Sequence, residues 1–113
     1  MTLQPFPNAT VIGSEGITID NTAGGKSLTA AQYQQKLSDN DERLTDARYA
    51  LITVETQPVR VNINPAVTVT DTTNGIYCGI FDSLWLTNPT QIRDCRIIRA
   101  TGSSGLVQVT YFY

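Results

Sequence analysis

No histidine occurs among the 113 residues, and cysteine occurs only twice, at Cys78 and Cys95. The first absence removes the Ser-His-Asp and Cys-His arrangements, which need an imidazole to take the nucleophile's proton. Together the two shortages exclude a zinc site of the usual kind. Each cysteine sits in an apolar stretch that reads as a strand. Both are therefore expected as buried free thiols, with a disulfide between neighbouring strands as the alternative. Charge is also scarce: 8 basic and 10 acidic side chains leave a net charge of −2. The densest basic stretch, Arg93, Arg96 and Arg99, is interrupted by Asp94. Nucleic-acid binding calls for a basic stripe that displaces counterions from phosphates, and the chain has none. No segment approaches the roughly 20 apolar residues of a membrane span. Met1 to Pro7 has neither the basic start nor the apolar run of a signal peptide. The expectation is a protein made in the cytoplasm, with neither nucleic acid nor membrane as partner.

Carboxylates near turns are the remaining candidates for acid–base work: Asp20, Asp71 and Asp82. Each reads more simply as a turn aspartate bonding nearby backbone amides. They lack the spaced oxygen ligands of a calcium loop. Gly24-Gly25-Lys26-Ser27 has a Lys-Ser pair but not the first glycine of a phosphate loop. The expectation is no catalytic site, no metal and no cofactor, hence no enzyme.

What is present is a chain of strands. A chain of this length fits one domain, 1–113, able to bury roughly 65% of its unfolded surface. Residues 1–15, rich in Pro, Asn, Thr and Gly, read as an extended N-terminal arm with one short strand, 10–12. Gly16 to Asp20 alternates as a strand, and Asn21 to Gly25 breaks it. Residues 28–48 form a helical and loop excursion. Thr29 is placed to cap a short helix with Tyr33 and Leu37 on one face, and Asp39 with Glu42 resembles a second capping box running to Leu44. From Tyr49 the pattern is β. Tyr49–Thr56 is one strand. Val59–Asn64 is the next, with Val59, Val61 and Ile63 inward and Arg60, Asn62 and Asn64 outward. Val67 and Val69 suggest a short strand, and Asp71 to Gly75 a turn. Ile76–Ile80, Ser83–Leu86, a long Ile92–Ala100 and Leu106–Tyr113 complete the set. Seven or eight short strands with regular turns predict an all-β sandwich, jelly-roll or immunoglobulin-like.

The order Ala50-Leu51-Ile52-Thr53-Val54-Glu55-Thr56, Pro58-Val59-Arg60, Ser83-Leu84-Trp85-Leu86, Ile97-Ile98-Arg99-Ala100 and Ser104 to Tyr111 resembles a group of small bacteriophage virion structural proteins of the head-decoration or capsid-cement type. Ser27 to Tyr33 is similar to the segment that precedes their first long strand. The resemblance covers about two thirds of the chain; residues 34–46 are additional here. It implies a protein on the virion's capsid surface that binds the outside of the major capsid protein lattice and stabilises the head. It also implies contacts with copies of itself, as a trimer or a dimer. The alternatives are a neck, tail or fibre-base protein of the virion, or a carbohydrate-binding β-sandwich module that would need Trp85 exposed.

Aromatic residues are the candidate interface anchors, because they carry large area at low entropy cost. The candidates are Phe6 on the arm, Trp85, and the terminal Tyr111, Phe112 and Tyr113. A last strand with aromatics on both faces is not expected to bury all of them in one small core.

Overall fold

The computed structural model describes residues 9–36, 40, 45–66, 69 and 74–113. Its strands are β1 (Val11–Ile19), β2 (Lys26–Ser27), β3 (Gln34–Gln35), β4 (Thr45–Asp46), β5 (Tyr49–Val54), β6 (Val59–Asn62), β7 (Ile76–Cys78), β8 (Ser83–Leu86), β9 (Arg96–Arg99) and β10 (Gly105–Phe112). Two short helices, α1 (Ala30–Tyr33) and α2 (Pro89–Asp94), interrupt them.

Period-two alternation builds the sandwich. In β10, Val107, Val109 and Tyr111 have no exposed surface, while Gln108 between them is exposed. In β5, Ala50, Ile52 and Val54 are enclosed and Tyr49, Leu51 and Thr53 lie on the other face. Successive side chains of a strand point to opposite faces, so each sheet acquires one apolar side, and the two apolar sides close on each other. Ile52, Val54, Val59, Val61, Ile97 and Leu86 meet in that core. Each such burial contributes about 1.5–3 kcal/mol.

The sheets run β1-β10-β5-β8 and β2-β9-β6-β7, antiparallel throughout. With the small β3–β4 ribbon set aside, the first strand pairs with the last (β1–β10), the second with the seventh (β2–β9), the third with the sixth (β5–β8) and the fourth with the fifth (β6–β7). This nesting is that of one long hairpin rolled over a core. It is a jelly roll rather than an immunoglobulin arrangement. The nesting brings the start of β1 against the C-terminal residue: Thr10 and Tyr113 exchange backbone hydrogen bonds of 2.9 and 2.8 Å.

Several expectations change. The strands foreseen at 10–12 and 16–20 are one strand, β1, so residues 11–15 lie in the sheet rather than in an arm; residues 1–8, Phe6 included, fall outside the described residues. The long strand expected over Ile92–Ala100 is shorter, because α2 takes its first part. Asn88 caps that helix, its Oδ1 accepting from the Gln91 N–H at 2.9 Å, and Pro89 occupies the first turn. Gln91 returns the contact, its Oε1 accepting from the Thr87 N–H at 2.8 Å. Asn62, expected outward and solvated, is covered. It closes an Asx-type turn in which its Oδ1 accepts from the Asn64 N–H at 3.0 Å. Val69 is buried but belongs to no strand. Leu37, the Asp39–Glu42 capping box, Val67 and Asp71 fall outside the described residues.

The excursion at 28–48 is tied to the sandwich at its base. Thr29 stands at the N-cap of α1, but its hydroxyl does not cap the helix. It donates instead to Glu15 Oε1 at 2.6 Å, and its N–H donates to Glu15 Oε2 at 3.1 Å. Tyr111 Oη donates to the same Glu15 Oε2 at 2.6 Å, so one carboxylate joins β1, β10 and α1. Gly13 permits the close approach: a Cβ there would run into the Gln32 carbonyl oxygen. The Tyr33 ring then packs 5.9 Å from that of Tyr111, and the Tyr33 carbonyl accepts from the Ala47 N–H at 2.8 Å.

Candidate functional site

Four connections gather at one end of the sandwich: 20–25, 55–58, 79–82 and 100–104. Hydrogen bonds hold them together there. The Arg99 N–H donates to the Asp20 carbonyl, the Ala100 N–H to the Pro58 carbonyl and the Glu55 N–H to the Leu106 carbonyl. Most of these turns carry small polar residues. The 79–82 turn does not.

That turn crosses from the edge of one sheet, β7, to the edge of the other, β8. Phe81 at its tip is 82% exposed and adopts φ 69°. A positive φ after the first turn position normally calls for Gly or Asn. A bulky side chain there costs about 1–2 kcal/mol against the preceding carbonyl. The turn is nevertheless well fastened. The Asp82 N–H donates to the Gly79 carbonyl at 3.0 Å, and the Gly79 N–H donates to Asp82 Oδ2 at 2.7 Å. The Phe81 N–H donates to the Val54 carbonyl at 2.8 Å, and the Val54 N–H to the Asp82 carbonyl at 3.0 Å. Asp82 is thus the turn aspartate the sequence suggests. Asp20 is another: hydrogen bonds from the Thr22 hydroxyl and N–H hold its carboxyl below the ordinary value.

Ile80 beside Phe81 is 44% exposed, and Ile76 and Tyr77 on the adjoining edge strand β7 are 46% and 55% exposed. The Arg60 guanidinium lies 5.5 Å over the Tyr77 ring and props it outward from the sheet. Of the five large apolar side chains exposed among the described residues, these four fall between positions 76 and 81. Ile76 pairs with the core residue Val61 and Tyr77 with Arg60, so these two side chains lie on opposite faces of β7, while Ile80 and Phe81 stand together at the turn.

The aromatic residues proposed from the sequence lie elsewhere. Tyr111 is fully enclosed between the sheets and Phe112 is 3% exposed, so neither has surface to offer a partner. Phe112 is buried on the outer face of its sheet, where Trp85 packs at 5.4 Å between ring centroids. Trp85 is consequently half-buried and does not present the exposed platform that a sugar-stacking role requires. Tyr113 lies beneath Arg48, whose guanidinium sits 4.5 Å from the ring centroid and donates to the phenol oxygen at 3.3 Å. No Gly or Asn at position 81 signals the positive φ in the sequence.

Both cysteines are buried and free, as expected. Burial pushes the Cys95 thiol up to about 12, with a smaller opposing pull from Arg96. Cys78 is raised as well, first by burial and then by Asp82. Raised folded values mean the protonated thiols are favoured in the fold. Their contribution is complete below pH 9 and is lost as pH climbs through the Cys95 value near 12. Unfolding titrations should therefore show stability falling above pH 9, by up to about 1.4 kcal/mol per pH unit for each such group. Cys95→Ala should flatten that slope between pH 9 and 10; an unchanged slope would contradict the assignment.

Among the described residues no group of His, Cys, Asp and Glu is arranged to hold a metal ion, and no helix is long and apolar enough to cross a membrane. No protein-family model matches the chain, and neither the curated proteins nor the solved structures contain a match.

Proposed function

We propose that the protein is a virion component that decorates the head: it binds the outside of the major capsid protein lattice and holds that lattice in its assembled state, without catalysing a reaction. The observation that carries this reading is the exposed Ile80–Phe81 turn, fastened to β5 by backbone hydrogen bonds on a jelly roll. Jelly rolls recur in viral capsid and lectin domains, but a fold alone does not assign a function, so the argument rests on the surface.

A decoration protein works by mass action. It binds the assembled shell and not its separated subunits, and so stabilises the shell by the free energy of that binding. Each contact can be modest, because trimers or dimers of the protein engage several lattice positions at once and gain avidity. The low charge density suits this role, since interface cores are depleted in charged residues.

Co-sedimentation tests the proposal. Assembled capsid shells lacking this chain are prepared from the phage that carries its gene and mixed with the purified protein. The chain is expected to pellet with the shells, saturably, and to raise the temperature at which they rupture. A chain that stays in the supernatant at every concentration, with rupture unchanged, contradicts the proposal.

A further inference from the structure

We infer that the outward face of the β1-β10-β5-β8 sheet is the interface of a twofold dimer of this chain, with Gln108 beside the axis. The inference goes beyond the decoration reading and stands or falls without it. Register sets the outward residues in rows across the four strands. Gly16, Gln108, Thr53 and Ser83 form one row, and Ser14, Thr110, Leu51 and Trp85 the next. Thr18 and Leu106 follow on the other side of the first row. These residues alternate with the enclosed Val107, Val109, Ile52 and Val54, and so point away from the core. None of the ten is charged, and the first charge met along β5 is Glu55, beyond the strand's end. The outward face of the other sheet, by contrast, carries Arg60 and Arg96. The solvated surface of a small domain is about 25–35% charged, and that charge keeps copies apart. This face lacks the protection.

The face is also low and smooth. An added Cβ at Gly16 would stand 3.1 Å from Gln108 Nε2, so the glycine leaves room for that side chain to lie across β1 instead of projecting from the sheet. The Thr53 and Ser83 hydroxyls bond each other at 3.3 Å along the same row. Gln108 is exposed, and its amide makes no hydrogen bond among the described residues.

A second copy is the occupant because the polar groups of the face are their own complements. A carboxamide and a hydroxyl each donate and accept, whereas a carboxylate only accepts and an ammonium only donates. A twofold contact sets a patch against itself, so a charge beside the axis meets its own kind, while an amide there meets a donor and an acceptor. The Gln108 amide is placed to exchange two hydrogen bonds with that of a second copy, and the half-buried Leu51 and Leu106 flank it with apolar area. A charged partner would find no counter-charge on these rows. The size also suits a dimer of modest affinity. At ~3.4 Å per residue and ~4.8 Å per strand the sheet covers about 450 Å² in plan, before side-chain relief is added, against roughly 600 Å² per partner at the lower end of specific interfaces.

Sedimentation equilibrium of the wild-type chain, Gln108→Lys, Gln108→Glu and Ser27→Glu tests the dimer. Ser27 is exposed on the other sheet and serves as the charge control. Dimers are expected for the wild-type chain and Ser27→Glu. Each Gln108 variant alone should lose dimer affinity 100-fold or more, and an equal mixture of the two should recover it, because Lys then meets Glu across the axis. The thermal midpoint of the wild-type chain should rise with protein concentration, and those of the separate Gln108 variants should not. Thr53→Lys, in the same row, should dissociate the dimer as well and replaces any Gln108 variant that fails to fold. A wild-type chain that is monomeric at every concentration overturns the inference and leaves the decoration role to the co-sedimentation experiment. Charged variants that dimerise as tightly as the wild-type chain put the interface elsewhere and overturn it too. Dissociation of both Gln108 variants without recovery on mixing overturns the placing of Gln108 beside the axis.

Discussion

Removing Gly105–Tyr113 is expected to leave a chain that does not fold. β10 is an interior strand: it pairs with β1 on one side along its whole length and with β5 on the other. Without it β1, the outer strand of that sheet, has no sheet partner. The fully buried Val107, Val109 and Tyr111 leave the core together. Each such burial contributes about 1.5–3 kcal/mol, and the ladders on both sides are lost as well, against a net stability of about 5–15 kcal/mol for a domain. The nested order makes the loss cooperative, because the pairing of first strand with last closes the whole roll. Far-UV circular dichroism and amide proton dispersion of the truncated chain should be those of an unfolded polypeptide. A cooperative thermal transition after truncation would contradict the observed topology.

Tyr111→Ala is the single substitution expected to cost most, about 3–5 kcal/mol for the loss of a large buried ring. The position carries more than packing. Burial, and then the hydrogen bond to Glu15, push the phenol's pKa well up, so the hydroxyl remains a donor throughout the working pH range. That donor meets the carboxylate that also receives Thr29. Tyr111→Phe keeps the ring and removes the donor, and should cost about 1.5–3 kcal/mol, the range for hydrogen bonds to a charged group. Glu15→Gln should cost less in the Tyr111→Phe background than alone, because the two side chains share one contact. Urea unfolding of the four proteins measures the coupling. A Tyr111→Phe variant as stable as the original would show that the hydroxyl contributes nothing net, and that Glu15 binds α1 through Thr29 alone.

Strand identity was legible wherever one face is buried and the other wet. β6 and the middle of β10 alternate apolar and polar residues, and β5 is marked instead by its density of β-branched and aromatic residues. The order of strands was not, because pairing first with last is a long-range relation that no local pattern carries. The helix α2 left a readable signal in Asn88-Pro89-Thr90-Gln91: a cap, a proline at the first helical position and a glutamine two residues beyond it. The spread of Ile92, Cys95, Ile97 and Ile98 over both faces masked that signal by reading as one continuous strand. Tyr111 and Phe112 have no surface for a partner for a different reason: Tyr111 fills the core, and Phe112 is buried on an outer face against Trp85, where a small sandwich covers a ring without placing it between the sheets. The positive φ at Phe81 had no residue-type signature.

The chain's scarcity of charge and its exposed Phe81 are what support the proposed decoration role. Electron cryomicroscopy of intact virus particles that contain the chain's gene tests the proposed decoration role most directly. The account predicts jelly-roll density on the outer surface of the head at many symmetry-related positions, with the Phe81 end turned into the shell. Heads bare of such density, or density confined to the tail, would contradict it.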